Sequence, residues 1–391
     1  MAATVIKNVR VILEDRVING GAAVENGIIS RIFEGNPDFS AEIVIDGGGL
    51  YLSPGFIDTH CHGAGGCDYM DGTVMAMETA ARTQLAFGAT SVVPTALSGT
   101  TEQILKFIKN FQVLKSNMRN GPRMPGVHLE GPYFSAAQCG AQDPELIRAP
   151  RPEEYKKIID EAHGEICLWS AAPELEGAME FGRYCARNHI ICSAGHSDAQ
   201  WSHMETAWMN GFSRVTHLYS ACSTVRRIGG YRYLGVVESA FLLKNMIVEI
   251  IADGCHIPPE LIRMVYENKG ADRIVLVTDS TRAAGTDAKT SVLGSLSEGQ
   301  EVIIEDGVAK MADRKAFAGS VATCDRLVRT ARKCGIPLCE AVKMASLTPA
   351  YSIGISSATG SIAVGKYADL ILFDDEIHVK WCMVGGKTIR H

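Results

Sequence analysis

Four histidines and two carboxylates sit where short apolar runs end. His60 and His62 follow Gly55-Phe-Ile-Asp-Thr, Glu130 follows Gly126-Val-His-Leu, His196 follows Ile190-Ile-Cys-Ser-Ala-Gly, His217 follows Arg214-Val-Thr, and Asp279 follows Ile274-Val-Leu-Val-Thr. In an extended segment side chains i and i+2 share a face, so His60-Cys61-His62 aims two imidazoles the same way and Cys61 the other. Imidazole nitrogen with carboxylate oxygen is the donor set that suits zinc, iron, manganese or cobalt. A carboxylate at the end of a run as apolar as that before Asp279 either bridges a metal or moves protons. One carboxylate can do both, taking a proton from metal-bound water and passing it to a leaving amine. Each residue also has a plainer reading: a surface or core histidine pair, a solvated strand-end Glu130, an N-cap at Asp279. Their shared position is what argues for a metal centre.

That position requires elements that bring strand ends together. Eight apolar runs read as strands: Gly55–His60, Thr90–Thr95, Gly126–Glu130, Ile166–Ala171, Ile190–His196, Arg214–His217, Met246–Asp253 and Ile274–Asp279. Between them lie amphipathic stretches, among them Thr73–Phe87, Glu102–Leu114, Glu153–Ala162, Leu175–Asn188, Ala199–Asn210 and Pro259–Asn268. Strands alternating with helices give a parallel sheet, and eight units predict a (β/α)8 barrel whose carboxyl strand ends converge on one mouth. An open doubly wound sheet is the alternative, but no Gly-x-Gly-x-x-Gly turn accompanies it. Both termini are β-rich instead. Thr4–Leu13 and Gly21–Ile32, with the turn Glu25-Asn26-Gly27, are echoed by Ala368–Phe373 and Ile377–Val384, so strands from the two ends are expected to pair.

Other residues read more modestly. His128 shares a face with Glu130 deeper in the barrel and reads as a core histidine, while His163, His189, His203, His378 and His391 read as surface or helix-end residues. Ser320, in Ala318-Gly-Ser320, reads as a helix cap ahead of a ligand contact. Arg226-Arg227-Ile-Gly-Gly-Tyr-Arg232-Tyr233 is a compact basic, aromatic loop near the mouth. It suits phosphate or carboxylate recognition, or else a solvated loop or subunit contact. His256, just past the seventh strand, shares that rim. Twelve cysteines without a Cys-x-x-Cys pair read as reduced, mostly buried thiols.

The 391 residues, 46% apolar and 21% charged, exclude disorder and coiled coil. A net charge of −6 without long charged runs argues against nucleic acid. The best apolar stretch, Ser239–Ala252, is interrupted by Lys244, Asn245 and Glu249, so no membrane span is expected. The N-terminal residues lack a secretory pattern, which points to a cytoplasmic protein.

Taken in order, Ser53-Pro-Gly-Phe-Ile-Asp-Thr-His60, His128-Leu-Glu-Gly-Pro132, Gly140-Ala-Gln142, Ala172-Pro-Glu174, Gly195-His196, Thr216-His-Leu-Tyr219, Ile251-Ala-Asp-Gly254 with His256, Val277-Thr-Asp279 and Ala318-Gly-Ser320 resemble the amidohydrolase superfamily, most closely its N-acetylglucosamine-6-phosphate deacetylase family. The resemblance implies a barrel over 55–357, a small β-sandwich from 1–54 and 358–391, and a homodimer. It implies that Glu130, His196 and His217 hold a principal divalent ion, that His60 and His62 can add a second, and that Asp279 is the acid/base. On the substrate side it implies His256, Gln142, Ser220, Ala221, Arg226 and Arg227, the phosphate-binding arginine often coming from the second subunit. The implied reaction removes the acetyl group of N-acetylglucosamine 6-phosphate. The family usually continues Asn-Ala-Met after His-Leu-Tyr, whereas Ser220-Ala-Cys222 stands here. That departure keeps open a different N-acyl amine, a cyclic amide or an amino heterocycle as substrate. A non-catalytic barrel scaffold is the remote alternative.

Overall fold

The computed structural model describes residues 4–35, 37, 41–297 and 299–389, so the expectation for His391 lies outside the described residues. All eight parallel strands form, in chain order within one sheet: Phe56–Cys61, Ala89–Ala96, Val127–Glu130, Ile166–Ala171, Ile191–Ala194, Phe212–Val215, Ile247–Ile250 and Ile274–Leu276. The first two are buried at every residue, as a sheet must be when helices cover its outside and the barrel fills its inside.

The barrel closes at a seam between the first and eighth strands. Val277 still donates its N–H to Ile250 of the seventh strand, but Asp279 N–H donates to His60 O at 2.8 Å and His62 N–H to Ser280 O at 2.7 Å. Asp58 staples the same seam from below, accepting from Thr278 Oγ1 at 2.5 Å and from the backbone N–H groups of Thr278 and His60. The eighth strand is therefore shorter than expected, and its last residues cross to the first strand, carrying Asp279 to His60 and His62.

The expected helices form with recognisable ends. Val74–Ala86 is capped by the Thr73 hydroxyl and stops before Gly88, and Thr101–Asn117 opens with a capping box between Thr100 and Gln103. The chain between 280 and 357 holds elements the apolar pattern does not predict. Thr290–Leu293, Gln300–Glu305 and Val308–Met311 form a three-stranded antiparallel sheet, and Cys324–Lys333, Leu338–Ala345 and Leu347–Ser352 are helices packed outside the seam. Ser320 does not cap a helix, because the helix begins at Cys324 with Thr323 as its N-cap. Its hydroxyl donates to Thr278 O at 2.5 Å and accepts from Ala322 N–H, bracing the segment that carries Asp279.

The chain ends meet as expected. Tyr51–Pro54 pairs antiparallel with Leu370–Phe373 in an eight-stranded sheet with its own apolar cluster of residues such as Ile6, Val11, Leu52, Leu370 and Met383. All twelve cysteines are free thiols, and none of the described helices is long and apolar enough to cross a membrane.

Candidate metal centre and active site

Glu130 stands at the centre of the six donors. Its Oε1 lies 2.9 Å from His217 Nε2, 3.1 Å from His196 Nε2 and 3.6 Å from His60 Nε2, and its Oε2 lies 3.3 Å from His62 Nε2. Asp279 Oδ1 lies 3.1 Å from His62 Nε2 and 3.5 Å from His60 Nε2. The result is two adjoining triads, Glu130/His196/His217 and His60/His62/Asp279, each with donor atoms within 4.8 Å of one another and all buried.

The imidazoles are oriented by what their other nitrogens touch. His196 Nδ1 is 3.0 Å from Gln138 O and His217 Nδ1 is 3.0 Å from Ser220 O. A carbonyl only accepts, so each Nδ1 carries the proton and each Nε2 turns a lone pair inward. Those two Nε2 atoms sit 3.2 Å apart against a carboxylate, a concentration of acceptors that needs a cation or protons among them. His60 Nε2, fully buried, has no hydrogen-bond partner at all. The residues therefore fit one or two divalent ions.

Backbone strain marks the same places. His196, His217 and Asp279 have φ of +46°, +27° and +47°, a region that side-chain-bearing residues rarely adopt and that clusters at functional sites. Gly140, at φ +61°, lets its loop lie over His196, where a Cβ would come 3.2 Å from the ring. Gly319, at φ +59°, plays the same part beside Asp279, whose carbonyl would lie 2.7 Å from such a Cβ.

Without an ion, protons fill the centre. Burial alone would push His60 and His62 down, but Glu130 and Asp279 outweigh it and hold their pKa values up at about 9 and about 10. His60, with His196 and His217, holds Glu130 well below the usual carboxylate range against its own burial. Ligation requires neutral imidazole, so an ion must displace these protons. Ion uptake at pH 8 is expected to release protons, seen as a buffer-dependent heat in calorimetry, and apparent affinity should rise with pH up to about 10. For the ion-free protein the folded pKa values lie above the unfolded value of about 6.5. This stabilisation is thus complete below that value and lost as pH rises through about 9 and about 10, lowering the melting temperature.

A cavity of about 300 Å³ opens onto the donors. Gln142, Ser220, Ala221 and His256 line it, as do Leu293 and Phe317 from the unexpected segment. Gln142 Nε2 donates to Glu130 Oε2 at 2.8 Å while its Oε1 accepts from Ser98 N–H, so it also fixes the central carboxylate. His256 Nδ1 lies 2.8 Å from Asp253 Oδ2, leaving Nε2 for a ligand. Arg226 and Arg227 are not at the cavity. They lie on a hairpin, Arg226–Ile228 against Tyr231–Tyr233, and Arg226 is bound to Asp198 at 2.7 Å. His128 is a satisfied core residue, with Nε2 2.7 Å from Ser170 Oγ.

Sequence reasoning missed Glu249 and Arg214, both wholly buried beneath the donors. Glu249 Oε2 accepts from His60 Nδ1 at 3.0 Å, and Arg214 lies 2.7 Å from Glu249 Oε1. The available signal was a charge inside each of two apolar strands.

Residues 51–389 match the amidohydrolase family. The chain belongs to that family, and it is an enzyme that hydrolyses amide bonds. Within the family its place is among the N-acetylglucosamine-6-phosphate deacetylases. The enzyme of that name from Bacillus subtilis is 32% identical over 383 residues, covering 96% of this chain and 94% of its own. The N-acetylgalactosamine-6-phosphate deacetylase of Escherichia coli O157:H7 is 31% identical, covering 86% and 87%. The crystal structure of N-acetylglucosamine-6-phosphate deacetylase from Pasteurella multocida aligns with a TM-score of 0.92 at 30% identity over 100% of both chains.

Proposed function

We propose that this enzyme removes the N-acetyl group of N-acetylglucosamine 6-phosphate, giving glucosamine 6-phosphate and acetate. The observation that carries the reading is the buried set of six donors around Glu130, opening onto a cavity of sugar size. Glu130, His196 and His217 would hold one divalent ion, and His60, His62 and Asp279 a second, with zinc, iron, manganese or cobalt all suited to these donors. When bound, such an ion supplies Lewis acidity, which makes hydroxide available near neutral pH.

Asp279 does the proton work. Its carboxylate takes a proton from the water whose oxygen attacks the acetamide carbonyl carbon, and gives that proton to the amine nitrogen as the C–N bond breaks. Gln142 keeps Glu130 aimed at the donors, and the roof residues Leu293 and Phe317 keep bulk water from the cavity. His256, anchored by Asp253, and the backbone at Ser220 and Ala221 hold the sugar phosphate.

Among the described residues no lysine or arginine lines the cavity, so a phosphate there needs a cation from elsewhere. In this reading the enzyme is a homodimer and Arg227, exposed on its hairpin, reaches the cavity of the second subunit. Loss of a charged hydrogen bond costs about 1.5–3 kcal/mol. Arg227→Ala should therefore raise KM for the phosphorylated sugar roughly 10- to 150-fold, with little change for the unphosphorylated one. Equal effects on both would remove Arg227 from the phosphate site. Because a sugar phosphate does not cross a bilayer unaided, the reading also places the enzyme in the cytoplasm.

The test is acetate release from N-acetylglucosamine 6-phosphate beside its galacto isomer and unphosphorylated N-acetylglucosamine. Faster release from N-acetylglucosamine 6-phosphate than from the other two supports the reading, and faster release from the galacto isomer would move the substrate to that sugar. Hydrolysis of a cyclic amide, with none of these sugars cleaved, would move the function to the alternative that Ser220-Ala-Cys222 keeps open.

A further inference from the structure

Glu249 and Arg214 are an ion pair with no exposure to solvent and no place on the cavity wall. Arg214 is tied on its far side to Thr59 Oγ1 at 2.6 Å and Ser352 Oγ at 2.7 Å, anchoring it to the barrel wall. Its contact with Glu249 Oε1, at 2.7 Å, is an ion pair. Burying such a pair is costly, and well-packed apolar residues of like size serve stability as well or better. The pair therefore calls for a reason beyond packing.

The reason lies at the other oxygen. Glu249 Oε2 accepts a hydrogen bond from His60 Nδ1–H at 3.0 Å and another from the His217 backbone N–H at 3.2 Å. His196 and His217 donate their Nδ1 protons to neutral carbonyls, whereas His60 alone donates to a carboxylate. A carboxylate partner makes an imidazole a stronger ligand and fixes which nitrogen keeps the proton. Without Glu249, nothing in contact with His60 would keep its proton on Nδ1, since Glu130 and Asp279 both lie toward Nε2.

We propose that Glu249, held in place by Arg214, is a positioning residue for the second ion: it keeps the His60 proton on Nδ1 and so makes His60 Nε2 a ligand beside His62 and Asp279. This rests on the metal reading of the six donors. It predicts that the two ion sites can be separated by changing a residue that touches neither ion.

The experiment strips the full-length protein with a chelator, titrates it with zinc and counts ions per chain by elemental mass spectrometry. The wild-type protein should take up two. Glu249→Gln leaves Arg214 without its counter-charge, so the double variant Glu249→Gln/Arg214→Met, which removes both charges, is measured beside it. In the folded double variant the first zinc should bind within a few-fold of normal, while the second is weakened about 10- to 100-fold. An unchanged second affinity overturns the proposal, and so does equal weakening of both ions, which would mean a general structural role. A wild-type protein that binds a single zinc overturns it too but leaves the Glu130 triad standing. One that binds none overturns the metal reading itself.

Discussion

Asp279→Asn is expected to leave the ion of the Glu130 triad in place and to lower turnover by about 10²- to 10⁴-fold, the range for loss of a positioned acid/base. Asparagine keeps the shape of the side chain and an oxygen toward His62 Nε2, which lies 3.1 Å from Asp279 Oδ1. It cannot take up a proton. The backbone that positions the group, with φ +47°, is held by Asp279 N–H to His60 O and by Ser320 N–H to Asp279 O, and neither bond involves the side chain. The loss should therefore fall on kcat, with KM little changed. Turnover near normal with that ion in place would assign proton transfer to another group.

The second large effect belongs to Glu130. It lies within 3.6 Å of all four ligand histidines, so Glu130→Gln removes the charge that both triads share. Both ions should be lost at micromolar metal. With them goes Lewis acidity that contributes several kcal/mol to the transition state, or about 10³-fold or more in rate. Folding should survive, since Glu130 ends its strand and the strand is paired on both sides. A direct check is the melting temperature with and without zinc. A ligand that binds only the native state raises the wild-type value, and the variant should show no such gain. A zinc-dependent rise equal to that of wild type would mean that Glu130 is not a ligand.

The barrel was legible because a strand covered on both faces is a short apolar run, and the donors were legible because they end those runs. Other features depend on closure, which no local pattern reports. Glu249 in the sequence only interrupts an apolar stretch; its meaning needs Arg214 and His60 from other strands brought into the same interior. The left-handed backbone at His196, His217 and Asp279 is equally silent, because the residues there are not the glycine or asparagine that usually mark it. Ser320 was misjudged for a related reason: a serine before a helical run looks like a cap, while its actual partner is Thr278 in the segment that carries Asp279. The three-stranded sheet carried a readable sign in Asp306-Gly307, the hairpin turn between Glu305 and Val308.

The central claim is that these six donors hold the ions that make an amino sugar phosphate amide hydrolysable. The most direct measurement follows acetate release from N-acetylglucosamine 6-phosphate while ion-free protein is titrated with zinc. Activity absent at the start and rising in step with occupancy of the Glu130 triad is the predicted result. Full activity in the ion-free protein, or a fully loaded protein that releases no acetate from this substrate, would contradict it.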